Sequence, residues 1–499
     1  MVKYRRSNWL NRLLLGLGCL VLILITQVSD ATTGKTLIVA TEPVFPPFEF
    51  QSLGGGLQGF DIDVVNAIGQ AAGFQVKYQS IPFDGIIPAL KAGTADAAVS
   101  AMTITPERAK VVSFSRPYFK AGLAIAVAKD NETVKTLDDL QGKAIAAQIG
   151  TTGAAMAQKI PDAKVRTFDS AVLALQELSN GNVEAVINDA PVTQYAIKTG
   201  NLQDVRVVSQ LLTEEYYGIP TALNSPNLEL INRGLTTILE NGTYAQIYRK
   251  WFGTDPPPLP TSAFTPSASA TEPASLEALK VITNALPTLL AGAVITLQLT
   301  AVSVLFGLIL GSLIGIARLS KTLPLRWAAR AYIDFFRGTP LLVQIFMVYF
   351  GIPAVLKGAG IAFSFDRFAA AVLALSLNSA AYIAEIVRGG IQSIEAGQSE
   401  AAQSLGLDAV QTMRYVIFPQ AFRRMLPPLG NEFISLLKDT SLVAVIGFEE
   451  LFRRGQLIVA ENYRPFEIYA AVAFVYLVLT LLSSQFFTRL ERWMDPVKR

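Results

Sequence analysis

Hydrophobic and polar positions follow one pattern up to residue 253 and another after it. In the first part, short apolar runs such as TLIVAT (36–41) and ADAAVS (95–100) alternate with longer periodic segments, GFDIDVVNAIGQAAG (59–73) and FDGIIPALKAG (83–93). The short runs predict strands and the periodic segments predict helices. Strands and helices that alternate at this spacing are typical of an α/β fold with largely parallel sheets.

The same alternation starts a second time further along the chain. KAIAAQIG (143–150) and EAVIND (184–189) have the composition of strands, so residues 36–253 are predicted to form two α/β lobes. The next segment, 254–275, is dominated by Pro, Ser, Thr and Ala, which is typical of a flexible linker.

Long apolar runs fill residues 276–499, which are predicted to form an all-α membrane domain. Each run is about 20 residues or longer, the length that a helix needs to cross a bilayer. The predicted spans lie near 285–317, 338–356, 367–388, 428–448 and 466–488. Lys438 and Asp439 interrupt the fourth span. They either line a pathway or lie at the cytoplasmic end of a span that starts later.

The N-terminus combines basic residues with an apolar run. The basic residues are Lys3, Arg5, Arg6 and Arg12, and the run from Leu13 to Ile25 follows them. Small residues at positions 29 and 31 come next. This order predicts a secretory signal peptide over residues 1–31, and an uncleaved signal anchor is the alternative.

Lys and Arg residues predict the orientation of the membrane domain. Clusters follow the first, third and fifth spans and consist of Arg318, Lys321, Arg326, Arg330, Arg414, Arg423, Arg424, Arg489, Arg492, Lys498 and Arg499. Because such an excess marks cytoplasmic loops, residues 36–275 are placed outside the cell membrane, in agreement with the signal segment. Arg453, Arg454 and Arg464 run against this pattern, although glutamates accompany them.

Composition agrees with a chain that is partly soluble and partly embedded in a membrane. Hydrophobic residues make up 51% and charged residues 16% of the 499 residues, and the mean hydropathy is +0.39. The net charge of +3 gives no indication of nucleic-acid binding. With one Cys and no His, the sequence predicts no internal disulfide, no imidazole catalysis, no metal site and no cofactor.

A half-polar segment between the third and fourth spans carries a specific motif. Residues 397–421 contain EAAQSLG, nine further residues and VIFP. This pattern resembles the cytoplasmic EAA loop of ABC importer permeases, with Val416 and Phe418 as conservative departures. The stretches 337–344, 380–394 and 418–442 resemble the polar amino acid uptake branch, and the resemblance covers nearly all of residues 280–495.

The resemblance implies that this loop contacts a separate ATPase subunit. The coupling residues would be Glu400, Ala401, Ala402, Gly406 and Pro419. An amphipathic loop that only lies on lipid headgroups is the alternative. No ATPase is predicted within the chain itself, because GKT (34–36) has Ser29 where a phosphate-binding loop requires glycine. The resemblance also implies a homodimer of the membrane domain, and a heterodimer remains open.

Residues 36–253 are similar to type II periplasmic binding proteins for polar amino acids. The stretches that carry the resemblance are VATEPVFPPFEF (39–50), GFDIDVVNAI (59–68), 83–118, EAVINDAP (184–191) and LENGTYAQIYRKWFG (239–253). The resemblance implies two lobes that close over an amino acid by a hinge movement. The hinge crossings are predicted near 121–129 and 216–223.

The chemistry of a free amino acid agrees with the positions that the family uses. Its carboxylate and its ammonium group both need charge-assisted hydrogen bonds when they are buried. Arg108 can bind the carboxylate bidentately, and Asp189 can accept from the ammonium group. Read in isolation, Arg108 would be a surface charge on a helix. The other positions assigned to the carboxylate are Ala101, through its backbone, Thr103, Thr151 and Thr152.

Aromatic and acidic residues predict the ligand side chain. Phe45 and Phe83 match the two family aromatics that enclose it, and Glu42 matches a common acidic position near its distal group. A carboxylate between aromatic faces favours a cation, so arginine or lysine is expected first and glutamine next. Gln148 and Asn188 match positions that vary among relatives, which leaves the exact specificity open.

Two other classes of protein use the same binding fold. A glutamate-receptor-like ligand-gated channel inserts its pore between the lobes, whereas here the α/β pattern runs unbroken to residue 253 and no TVGYG-like filter appears. An enzyme such as a dehydratase would leave the membrane half unexplained. The sequence therefore predicts a transporter subunit of the plasma membrane that is not itself an enzyme.

Overall fold

The computed structural model describes residues 35–52, 54–199, 202–208, 211–260, 274–361 and 363–494. The predicted signal segment, 1–31, and most of the predicted linker lie outside these residues. The described residues form an α/β domain with two lobes, followed by a helical domain. Both expectations of fold class are confirmed.

Lobe 1 is built on a five-stranded sheet. In their order across the sheet, the strands are Phe74–Ser80, Lys35–Thr41, Ala97–Ala98, Pro220–Ala222 and Val112–Phe114. The first three strands are parallel, and the strand from Pro220 is antiparallel to both of its neighbours. A small sheet packs beside it and consists of Val44–Phe45, Glu49–Gln51 and Leu57–Gln58.

Lobe 2 repeats this arrangement with a second five-stranded sheet. Its strands, in order, are Lys164–Phe168, Ala144–Gln148, Ala185–Asp189, Leu123–Ala128 and Val205–Val207. The first three are parallel, and the fourth is antiparallel to both of its neighbours. Central strands run through the interior of α/β proteins, which explains why Ala144–Gln148 and Leu123–Ala128 are almost continuously apolar.

The lobes are joined by two strands that pair with each other, Phe119–Ala121 and Glu215–Tyr217. The predicted crossings near 121–129 and 216–223 lie a few residues too late. Leu123–Ala128 already belongs to the sheet of lobe 2, and Pro220–Ala222 belongs to the sheet of lobe 1. Apolar runs alone cannot distinguish a strand within a lobe from a strand that crosses between lobes.

Helices cover both sheets of the α/β domain. They are Phe60–Ala72, Phe83–Lys91, Pro106–Ala109, Thr152–Ala157, Ala171–Ser179, Ala190–Lys198, Asn227–Glu240 and Thr243–Phe252, with a 3-10 turn at Asp138–Leu140. The first helix buries Phe60, Val64 and Ile68, which share one face at a spacing of four residues. Phe60 belongs to an aromatic core in which the rings of Phe48 and Phe119 stand edge to face at 4.9 Å.

The helical domain begins at Ala274. Its α-helices are Ala274–Leu319, Leu323–Gly338, Leu341–Phe346, Ile352–Gly358, Arg367–Gln392, Ala396–Ser404, Ala409–Gln411, Phe418–Asp439, Leu451–Asn462 and Pro465–Met494. Two π-helical segments, Met347–Gly351 and Thr412–Ile417, and a 3-10 segment, Thr440–Ile446, connect some of them. Gly311 permits close packing of Ala274–Leu319 on Arg367–Gln392, since a Cβ there would lie 2.7 Å from the Ala380 carbonyl oxygen.

Within the described residues, four helices are long and apolar enough to cross a membrane: Ala278–Leu319, Leu341–Gly358, Arg367–Gln392 and Pro465–Met494. These correspond to the first, second, third and fifth predicted spans. The fourth predicted span, 428–448, does not meet the same criterion. Its helix starts ten residues earlier, at Phe418, and it carries several charged residues, among them Glu432, Lys438 and Asp439.

The α/β domain is packed directly on the helical domain, mainly through lobe 2. The Tyr349 hydroxyl donates to the buried Glu177 at 2.5 Å, and Lys357 donates to Asp204 at 2.5 Å. Phe168 belongs to the same apolar cluster as several side chains of the helical domain. The helix Leu451–Asn462, called the docking helix below, lies at this interface.

Candidate ligand-binding site

A small cavity lies in the cleft between the two lobes. Both lobes contribute to its wall, and neither lobe forms a complete site alone. The lining residues are Phe45, Phe83, Ser100, Ala101, Thr103, Arg108, Gln148, Thr151, Thr152 and Asp189. The structure therefore brings together most of the predicted ligand-binding residues, although they come from distant parts of the sequence.

Arg108 extends from lobe 1 across the cleft. It lies in the short helix Pro106–Ala109, whose N-terminus is capped by the Thr105 side chain. Its guanidinium is buried and donates to the Thr103 carbonyl at 2.7 Å and, across the cleft, to the Gly150 carbonyl at 2.9 Å. It also lies over the Phe83 ring, 5.3 Å from the centroid. A buried cation with several donors suits a carboxylate ligand.

Asp189 supplies the opposite charge from lobe 2. It ends the strand Ala185–Asp189, is 8% exposed, and one carboxylate oxygen has no hydrogen-bond partner among the described residues. Its pKa is raised to about 7 as the net effect of burial and Glu215, which raise it, and of the Tyr217 hydroxyl and Arg108, which lower it. A buried carboxylate with an unused oxygen is suited to accept from an ammonium group.

Glu42 lies immediately behind the cavity wall rather than on it. Its carboxylate accepts from Gln148 Nε2 at 2.6 Å and from the Phe83 backbone N–H at 3.3 Å. Its pKa is raised to about 7, because the effect of burial exceeds that of these two hydrogen bonds, which lower it. The amide of Gln148 therefore stands between the Glu42 carboxylate and the space where a ligand side chain would lie.

Asn188 is the second predicted residue that does not line the cavity. It is buried, and its side-chain amide donates to Thr193 Oγ1 at 3.2 Å. Neighbouring residues of a strand point to opposite faces, so the structure presents Asp189 to the cleft and Asn188 to the next helix. The sequence EAVIND does not reveal which of its residues face the cleft, because all five residues of the strand Ala185–Asp189 are buried.

Sequence reasoning missed Glu215, which lies in one of the crossing strands. Its Oε2 atom accepts from Thr103 Oγ1 at 2.7 Å and from Thr152 Oγ1 at 3.0 Å. One carboxylate oxygen thus bridges two threonines of opposite lobes. No local motif marks this residue, because its place in the cleft depends on the pairing of the crossing strands.

Sequence reasoning also missed a buried carboxyl pair, Glu49 and Asp61, behind the cavity. Asp61 accepts from the Ala101 backbone N–H at 2.8 Å, and Glu49 accepts from the Ser100 hydroxyl at 2.7 Å. Ala101 has a positive φ of 44°, which is costly for alanine, so the hydrogen bond to Asp61 helps to fix this backbone. Burial raises the pKa of Asp61 to about 6 and that of Glu49 well above its usual range.

A larger groove of about 560 Å³ connects the mouth of the cleft with the helical domain. Arg108, Thr151 and Thr152 line both the groove and the ligand cavity. The helical domain contributes Leu457, Ala460, Glu461 and Tyr463. A ligand that leaves the cleft on this side therefore reaches a surface of the helical domain.

The predicted EAA loop forms a helix–turn–helix that follows the C-terminal end of Arg367–Gln392, the helix whose N-terminal part packs in one apolar cluster with lobe 2. Its first helix, Ala396–Ser404, ends before Gly406, which has a φ of 84°. Asp408 then caps the next helix in a reciprocal capping box with Gln411. Glu400 and Ala401 are exposed, whereas Ala402 is buried against the domain.

The second helix of the loop continues through a π-helical segment into Phe418–Asp439, so Pro419 lies within the first turn of that helix. Several large apolar side chains of the loop are exposed. They are Leu405, Val410, Met413 and Tyr415. Exposed apolar groups on a half-polar helical pair are typical of a surface that another protein covers.

Both parts of the chain match known families. Residues 37–254 match the family of bacterial extracellular solute-binding proteins, family 3, and residues 303–496 match the binding-protein-dependent transport system inner membrane component family. These two matches correspond to the α/β domain and to most of the helical domain.

Individual relatives are similar over the second half. The chain is 47% identical over 210 residues to the glutamine transport system permease protein GlnP of Escherichia coli. This match covers 42% of this chain and 94% of that protein. It is 41% identical over 207 residues to the arginine transport system permease protein ArtQ of Bacillus subtilis, with 42% and 92% covered.

The first half resembles a solved structure described as an ancestral arginine-binding protein bound to arginine. The identity is 44%, the TM-score is 0.43, and the match covers 44% of this chain and 98% of that chain.

Proposed function

This chain belongs to the family of binding-protein-dependent transport system inner membrane components, and we propose that it imports basic amino acids. It is the membrane subunit of a polar amino-acid ABC importer to which a solute-binding domain is fused. It is a multi-pass protein of the inner membrane, with the binding domain on the periplasmic side. Arginine and lysine are the proposed ligands, with glutamine as the second candidate.

One observation carries this proposal: a buried guanidinium and a buried carboxylate face each other across a closed cleft. Arg108 comes from lobe 1 and Asp189 from lobe 2, and both line the same cavity. An amino acid offers the matching carboxylate and ammonium group, so it would satisfy both buried charges at once.

The preference for a basic ligand depends on Glu42. A cationic side chain that enters between Phe45 and Phe83 would reach Glu42 if it replaced the Gln148 amide as its partner. The uncharged amide of glutamine could instead hydrogen-bond to Gln148 in its present position. A charge-assisted hydrogen bond stabilises a buried complex more than a neutral hydrogen bond does, so we propose that arginine and lysine bind more tightly than glutamine.

The experiment is a calorimetric titration of the purified full-length chain in lipid nanodiscs with the twenty amino acids. We expect arginine and lysine to bind most tightly, with one ligand per chain. Tight binding of glutamine alone would overturn the preference and keep the architecture. No binding of any amino acid would overturn the proposal.

We propose that a separate ATPase subunit drives uptake and docks on residues 397–421. The exposed apolar side chains of Leu405 and Val410 support this role, because they project from the loop into solvent. Glu400, Ala401, Ala402, Gly406 and Pro419 are the proposed coupling residues. Purification of the chain from cells that express candidate ATPase subunits tests it, since the partner should be retained by the wild-type loop and lost from a disrupted loop.

We also propose that two copies of the chain form the membrane channel. Many large apolar side chains of the spanning helices are exposed in the single chain, including Leu313, Ile316 and Phe486. Lipid or a second copy can cover such surfaces, and the mass of the chain in nanodiscs distinguishes the two. A mass of one chain would contradict the homodimer.

A further inference from the structure

Arg453 of the docking helix is completely buried although it is charged. It is 0% exposed, and it lies at the interface between lobe 2 and the helical domain, which is called the permease domain below. Its guanidinium donates to the Thr167 carbonyl at 2.6 Å and to the Asp169 carboxylate. A buried arginine is stable only when carboxylates or carbonyls compensate its charge, so its partners define its role.

A second carboxylate approaches the same arginine from lobe 1. Asp84 lies in the first turn of the helix Phe83–Lys91, close enough for electrostatic interaction with both Arg453 and Asp169. A Cβ atom placed on Gly150 of lobe 2 would lie 3.5 Å from Asp84 Cβ and 3.8 Å from Ala460 Cβ of the docking helix. Lobe 1, lobe 2 and the permease domain therefore meet at one point.

Closure of the cleft brings two like charges together at this point. Asp84 belongs to lobe 1 and Asp169 to lobe 2, so a hinge movement that opens the cleft would separate them. Burial raises the pKa of Asp84, Asp169 raises it further, and Arg453 lowers it. Like charges at short distance oppose the arrangement that brings them together, whereas an opposite charge between them favours it.

We propose that Arg453 of the permease domain stabilises the closed form of the binding domain by compensating Asp84 and Asp169, one carboxylate from each lobe. The affinity of the binding domain for its ligand then depends on a residue of the permease domain. This inference rests on the proposed function, because it takes the cleft to be a site that closes over an amino acid.

Gln148 connects this charge cluster with the ligand cavity. Its Nε2 atom donates to the Asp169 carbonyl at 3.2 Å and to Glu42 at 2.6 Å. A ligand that displaces the Gln148 amide from Glu42 therefore acts on the residue whose carboxylate binds Arg453. The path from the ligand to the permease domain is only a few side chains long.

The test measures arginine binding by calorimetry with the full-length chain in nanodiscs. Arg453→Gln removes the compensating charge, and we expect about tenfold weaker binding, because the repulsion between Asp84 and Asp169 then opposes closure. Asp84→Asn, added to Arg453→Gln, removes the repulsion and should restore most of the affinity. Arg453→Lys keeps the charge and should bind nearly as the wild type does.

Arg454→Gln is the matched control. Arg454 is the neighbour of Arg453 on the same helix, and it donates to the Thr288 carbonyl within the permease domain. Its substitution should leave arginine binding unchanged.

Three results would overturn the inference while leaving the proposed function intact. They are unchanged binding by Arg453→Gln, a loss that Asp84→Asn does not relieve, and an equal loss in Arg454→Gln. If Arg453→Gln does not fold, Arg453→Lys and Asp84→Asn distinguish charge compensation from a purely structural role of Arg453. A structural role requires the guanidinium itself, so it predicts that Arg453→Lys also loses affinity. Absence of amino-acid binding by the wild type would overturn the proposed function as well.

Discussion

Substitution of Glu42 by glutamine separates charge from shape at the proposed specificity residue. Glu42 is 6% exposed and accepts two hydrogen bonds, from Gln148 Nε2 and from the Phe83 backbone. Glu42→Gln keeps the volume and removes the negative charge that a cationic ligand would pair with. An uncompensated cation in a buried site costs about 3–5 kcal/mol, and a partly solvated one costs less.

We therefore expect Glu42→Gln to lose about 2–3 kcal/mol of arginine affinity, which corresponds to roughly 30- to 150-fold in Kd. Glutamine offers only a neutral amide, whose hydrogen bonds are worth about 1 kcal/mol, so its loss should stay below about tenfold. The assay is calorimetry with the full-length chain in nanodiscs at pH 8, where Glu42 with a pKa of about 7 is ionised.

Glu132→Gln provides the control, because Glu132 is an exposed residue of lobe 2 and loses the same formal charge. It should change neither affinity. Equal losses of arginine and glutamine affinity in Glu42→Gln would refute the reasoning, since they would show that Glu42 supports the fold of the site rather than a cationic ligand.

Further predictions concern the same site and the cytoplasmic loop. Glu42 and Asp189 each have a pKa raised to about 7, so both carboxyl groups are mostly neutral at pH 6 and ionised at pH 8. Because a cationic ligand binds the ionised forms, arginine affinity should fall by about tenfold per group as the pH decreases from 8 to 6. Glutamine affinity should fall less, and a pH-independent arginine affinity, measured by calorimetry, would contradict both assignments. Asp189→Asn should weaken all amino acids about equally, by roughly 30-fold or more, because every amino acid carries the same ammonium group; a loss confined to basic ligands would contradict this role. Gly406→Leu forces a side chain into a φ of 84°, and it should release the ATPase subunit in co-purification without changing amino-acid binding; retained ATPase would argue against docking on this loop.

The fold was predictable from local patterns where one residue class dominates a segment. The strands at 36–41 and 144–148 and the helix Phe60–Ala72 coincide with the predicted runs, because buried parallel strands and amphipathic helices have distinct periods. The fourth span was not predictable in the same way. Its helix mixes apolar and charged residues and begins at Phe418, so apolar content alone places it too late.

The site was predictable mainly through the family resemblance, and what was missed depends on tertiary structure. Arg108 and Asp189 stand in stretches with a recognisable pattern, and the structure places both in the cleft. Glu215 enters the cleft only because two crossing strands pair, and Asp84 approaches Arg453 only because a lobe packs on the docking helix. Neither contact leaves a local signal in the sequence.

The alternative architecture, a ligand-gated channel, places its pore segment between the two lobes. Here both lobes are complete before the helical domain begins, since the last strand of lobe 1 is Pro220–Ala222 and its helices end at Phe252. The groove between cleft and permease domain gives the ligand a direct route from one domain to the next. This arrangement agrees with capture and delivery by a single chain.

The most direct test of the account is uptake of labelled arginine by right-side-out membrane vesicles. The vesicles contain the chain and an ATPase subunit that co-purifies with it, and they are loaded with ATP. The account predicts that arginine accumulates in the wild type and that Arg108→Ala lowers uptake at limiting arginine by about 100-fold, because the ligand carboxylate loses its buried partner. Accumulation that does not depend on Arg108, or no accumulation of any amino acid, would contradict it.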